Sequence, residues 1–130
     1  MPIVERGSAF LARFTLDPSK VDAFRTAHRE IMEKGAAYMD EQSHFIFFGW
    51  GRQSNEFVAI ECWKDQDMLN KLRGDPDFQA NVRWMLDCCT APVEITMFAG
   101  HLGDRSAFAL YPLGPSAFHP TSNGQHVEFI

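Results

Sequence analysis

Asn55–Phe78 reads NEFVAIECWKDQDMLNKLRGDPDF, and the order of its parts decides the fold. Residues 56–63 form an apolar run of strand length, broken by Lys64-Asp65. A short helical pattern follows to about Lys71, and Asp75-Pro76 opens a further helix. Aspartate can accept from the first free N–H groups of a helix, and proline at the first helical position has no N–H to leave unpaired. A strand feeding two helical segments this closely points to a mixed α+β unit.

Working outward, residues 44–51, HFIFFGWG, are a second strand that RQSN joins to the first as a hairpin. Upstream, Asp17-Pro18 repeats the cap-and-proline signal and opens a helix to about Tyr38, with Val21, Phe24, Ala27, Ile31 and Met32 on its apolar stripe. Before it, SAFLARFTL (8–16) alternates, with Phe10, Ala12, Phe14 and Leu16 on one face and Leu11 and Arg13 on the other. Downstream, the helix from Pro76 runs to about Cys89 and buries Phe78, Val82, Met85, Leu86 and Cys89. PVEITMFA (92–99) closes the unit. The order β-α-β-β-α-β predicts a ferredoxin-like split βαβ fold over residues 1–102.

Phe45 to Phe48 and Phe57 to Ile60 are unbroken apolar runs, so both faces of the sheet are apolar. The helices of a split βαβ unit cover one face only. A second copy of the chain is the simplest cover for the other, and a homodimer is expected. Residues 103–130 change character: glycines and prolines interrupt Phe108, Leu110, Tyr111, Leu113 and Phe118. They read as an ordered C-terminal arm packed on the dimer, with the terminal HVEFI pairing with an open strand edge, reachable on the other subunit.

The bulk properties exclude several partners. With 130 residues, a net charge of −5 and a pI near 5.4, the chain lacks the clustered Lys and Arg that a nucleic-acid backbone or an anionic membrane requires. No membrane span and no signal-like start is read, so a cytoplasmic protein is expected. Cys62, Cys88 and Cys89 form no CxxC pair and read as buried reduced thiols. The five histidines show no metal-ligand spacing and no nucleotide loop is present, so neither a metal nor another cofactor is expected.

The strand ending IECW, the KDQDML helix start, the RGDPDFQ turn and the closing PVEITMF resemble, in that order, the antibiotic biosynthesis monooxygenase family of the dimeric α+β barrel superfamily, over residues 8–99. The resemblance implies a ligand cavity between sheet and helices. It also implies cofactor-independent oxidation, by O₂, of a small aromatic or quinol-like compound. An isomerase or cyclase of the same superfamily, or a non-enzymatic ligand-binding or stress-associated barrel, is the alternative. At positions that carry Asn, Trp and His in characterised members, this chain has Ala59 (the polyphenol-oxygenase Asn) and Leu72 and Val82 (the haem-degrading Trp and His). Haem degradation is therefore not expected.

Within that frame Trp63 is either core or a flat wall for an aromatic substrate, and Glu61 shares its strand face. His28 falls in register with Phe24 and Ile31, on the helix face toward the sheet; it is a core histidine or the catalytic base that takes a phenolic proton. Trp50 lines either the cavity or the dimer interface. Arg13 and Arg83 are candidates to stabilise an anionic intermediate, or are surface and ion-pair residues.

Overall fold

The computed structural model describes residues 3–103 and 126–129. β1 spans Ser8–Thr15, β2 Ser43–Trp50, β3 Glu56–Trp63, β4 Glu94–Ala99 and β5 His126–Phe129. The helices are α1, Val21–Gln42; α2, Gln66–Arg73; and α3, Pro76–Asp87. The strands form one sheet in the order β2-β3-β1-β4-β5. The first four are antiparallel to their neighbours, as a split βαβ unit requires, with the helices on one face.

Both acidic caps form. The Asp17 carboxylate accepts from the backbone N–H of Ser19 at 2.9 Å, but the residues it opens, Pro18–Lys20, make a single 3-10 turn before α1 begins. At α3 the Asp75 carboxylate accepts from the N–H groups of Asp77 and Phe78 at 2.9 and 3.1 Å. α1 runs to Gln42, four residues past the expected end at Tyr38, because its last carbonyls find donors there. The Ser43 hydroxyl and N–H both return to the Met39 carbonyl, and the Lys64 N–H reaches the Gln42 carbonyl at 3.0 Å. That last bond fastens the end of α1 to the end of β3.

Register sets the two faces. Toward the helices, Phe48, Ala59, Ala12 and Ile95 stand side by side across four strands, and Ile46, Glu61, Phe10 and Met97 form the next row. On the opposite face the rows are Phe47, Ile60, Leu11, Thr96 and Phe45, Cys62, Ala9, Phe98. Phe10, Phe14, Leu16, Phe24, Trp63, Leu69, Leu86, Ile95 and Met97 fill the core between sheet and helices. Gly7 adopts a φ of 110°, and a Cβ there would collide with the Trp63 carbonyl, so the chain passes closely under the end of β3 only as glycine.

The HVEF part of this segment does become strand, but at an edge of its own chain: β5 lies parallel to β4, with Glu94 opposite His126 and Met97 opposite Phe129. The edge nearest in sequence is the one it covers. Most of the expected arm, residues 104–125, lies outside the described residues.

Candidate functional site

The small side chains at the middle of the sheet leave room above them. Ala12 and Ala59 are too short to meet the helices, and the space facing them is a cavity of about 480 Å³. Gly35, on α1, is the third lining position with little or no side chain. It has open space beyond it, its nearest would-be neighbour being the flexible end of Met39. α1 and α3 are pinned together at one end by Phe24 and Trp84, whose rings stack at 5.4 Å. Toward the other end the lining passes to Ile31 and Tyr38 on one side and Leu72, Phe78 and Asn81 on the other.

Trp63 and His28 both border this inner cavity. Trp63 is 1% exposed, so it is core and wall together. Its indole N–H donates to the Glu61 carboxylate at 3.0 Å, two residues back on the same strand face. That bond fixes the plane of the ring, with Tyr38 6.4 Å away. His28 is 6% exposed and boxed by aromatic rings: Phe24 stacks on it at 5.5 Å, and Phe48 and Phe57 each meet it edge-on at 4.7 Å. Its ring nitrogens have no hydrogen-bond partner among the described residues. Burial alone pushes its pKa down from 6.5 to about 4, so the imidazole is neutral near pH 7.

The remaining candidates lie elsewhere. Arg13 is on the opposite face of the sheet, paired with Glu56 at 3.0 Å, because odd-numbered positions of β1 point away from the helices. Trp50 borders a second recess, an open groove of about 600 Å³ between α1 and the edge strand β2. It packs edge-on against Phe57 at 5.5 Å, and the Arg25 guanidinium lies 5.0 Å above its ring. His28, Met32, Met39 and Phe48 separate the groove from the inner cavity, since all four border both. Arg83 is exposed on α3 and lines neither the inner cavity nor the groove.

The sequence reading missed Arg25 and Arg29, which border the groove one helical turn apart. Their spacing on either side of His28 was the one signal for them, but it does not distinguish a groove from plain solvent. It also missed Lys71, Asp75 and Asn81, which join His28, Tyr38 and Glu61 as polar groups of the inner lining. The thiols are unsuited to nucleophilic work: burial raises the pKa of Cys62 and Cys88, and that of Cys89 to about 12. No cluster of three His, Cys, Asp or Glu side chains that could hold a metal occurs among the described residues. No helix among them is long and apolar enough to cross a membrane.

No family model matches the sequence, and no curated protein matches it. Solved structures do share its fold. A conserved protein from Methanosarcina mazei Go1 superposes with a TM-score of 0.65 at 16% identity, covering 74% of this chain and 94% of its own. A structure named antibiotic biosynthesis monooxygenase gives 0.62 at 17% identity, covering 72% and 97%. A mutant of SnoaB, a cofactor-independent oxygenase from Streptomyces nogalater, gives 0.52 at 21% identity, covering 72% and 91%. The chain therefore has the α+β fold on which proteins named antibiotic biosynthesis monooxygenases are built.

Proposed function

We propose that the chain belongs with the antibiotic biosynthesis monooxygenases and oxidises a small phenolic or quinol-like compound in the inner cavity, without a cofactor. The observation that carries this reading is His28: a buried, neutral imidazole with no hydrogen-bond partner among the described residues, on the wall of a largely apolar cavity. The fold shared with a protein named a cofactor-independent oxygenase supports it.

In this reaction a substrate hydroxyl donates to His28 while its ring lies along Trp63. His28 takes the proton and leaves a substrate anion delocalised onto carbon. The anion passes one electron to O₂, and the resulting superoxide and substrate radical combine to a carbon-bound peroxide. That peroxide takes back the proton from His28. Loss of water, with the remaining hydrogen on the same carbon, leaves a carbonyl there and another where the hydroxyl stood, so one phenolic O–H, one ring C–H and one O₂ give two C=O groups and H₂O.

The pKa values set the hard step. Moving a proton from a phenol of pKa about 10 to an imidazole near 4 costs about 8 kcal/mol for separated charges. An imidazolium held against the new anion, with the substrate displacing water from the cavity, offsets much of that cost through their mutual attraction. The base is therefore weak when the cavity is empty and strong only when a substrate fills it.

Oxygen uptake by the purified protein with a panel of phenols and quinols tests the reading. The expected result is stoichiometric O₂ consumption with at least one compound, lost in His28→Ala while that variant still binds the compound. Turnover that continues unchanged without oxygen would overturn it in favour of an isomerase or cyclase. Binding without any turnover across the panel would favour a ligand-binding barrel.

A further inference from the structure

The groove on the far side of His28 has its own chemistry. Its aromatic lining on the helix-facing side comes from Phe48, Trp50 and Phe57, with Phe45 at the strand edge, and its volume of about 600 Å³ suits a ligand of one or two rings. Arg25 and Arg29 stand at the Trp50 end, four residues apart on α1. Neither makes an ion pair among the described residues, although Glu33 follows Arg29 by one further turn. Glu33 and Asp40 border the groove farther along α1, toward Ser43 and His44. The recess is thus cationic at one end, aromatic between, and acidic at the other.

We propose that this groove is a second ligand site, separate from the inner cavity, that takes a small planar aromatic monocarboxylate. A guanidinium presents paired N–H donors that match the two oxygens of a carboxylate, and Arg29 is free to do so while Arg25 stays over Trp50. The ligand ring then lies against Phe48 and Ile46, on the helix-facing side of β2, where apolar surface replaces water. Its far end meets Glu33 and Asp40, which repel a second carboxylate and accept a neutral group. The buried His28 ring, without a hydrogen-bond partner among the described residues, borders the groove and can donate to or accept from a ring substituent. The site stands whether or not the inner cavity carries out the reaction proposed above.

Titration of the full chain with 2-naphthoate, followed by amide and indole N–H resonances, tests the proposal. Trp50, Trp63 and Trp84 supply three indole reporters. The expected result is a saturable shift of the Trp50 indole at up to millimolar ligand, with the Trp63 indole unmoved. Naphthalene-2-methanol and naphthalene-2,6-dicarboxylate should each bind roughly tenfold more weakly, the first for want of charge and the second for its excess. Arg29→Gln and, separately, Arg25→Gln should weaken 2-naphthoate by a similar factor with the rest of the spectrum unchanged. Absence of a saturable shift, a shift centred on Trp63, equal binding of the neutral alcohol, or unaltered affinity in both arginine variants would each overturn it.

Discussion

His28 concentrates the electrostatic consequences of the fold in one ring. Phe24, Phe48 and Phe57 surround it, and burial lowers its pKa from 6.5 to about 4. Between those values the unfolded chain binds a proton at this position and the folded chain does not. Stability is therefore lost as pH falls from about 6.5 toward 4, and the loss is complete below 4. Allowing for solvent that reaches the ring through two cavities, the effect should be about 2 kcal/mol. Urea unfolding of wild type and His28→Phe at pH 7 and pH 4 checks this. The stability difference should shift by that amount in favour of the variant at the lower pH. A difference independent of pH would mean that the ring is solvated in the folded state. The helical spacing of His28 with Phe24 and Ile31 already showed which face it takes, but its pKa depends on rings from β2 and β3 that no local pattern brings near.

Among the elements, the cavity comes from side-chain size at matched positions. Ala12 on β1 and Ala59 on β3 are cross-strand partners, and Gly35 on α1 also borders the cavity. Ala59→Leu should fill part of the space. It adds three carbons, worth about 2 kcal/mol of burial before strain, so a net gain of about 1 kcal/mol in unfolding free energy is expected. Binding of any inner-cavity ligand should be lost in the same variant. Retained binding together with a large drop in melting temperature would show that the space above β3 is closed in solution. The alanines were plain in the sequence, as was the alternation that places Ala12 inward, whereas Ala59 sits in an unbroken apolar run that favours neither face. Their being neighbours follows from register, which is fixed only when the strands pair.

At the scale of the molecule, there remains the face of the sheet that no helix among the described residues covers. Phe45 and Phe47 are 47% and 56% exposed, and Ile60 and Phe98 are each 37% exposed. Rows of apolar side chains across four strands favour burial against a like surface, at the roughly 800 Å² per partner of a stable interface. Light scattering at micromolar concentration should give about twice the 14.8 kDa chain mass. Phe47→Asp should shift the equilibrium toward monomer without loss of secondary structure. A wild-type monomer would leave this face unexplained by self-association.

What nearest neighbours along the chain can encode is plain in the order of residues alone. Alternation in SAFLARFT, the stripe through Phe24 and His28, and the Asp17-Pro18 and Asp75-Pro76 starts were legible because period and capping act over a few residues. The β-α-β-β-α-β order followed from them. The packing of distant segments decided that Arg13 lies across the sheet from the cavity in a pair with Glu56, and that Trp50 belongs to the groove rather than to the wall shared with Trp63. It also decided that His126–Phe129 covers its own β4. Each of these depends on which segments meet in space, and those meetings are set by strand register and by side-chain volumes on segments far apart in the chain.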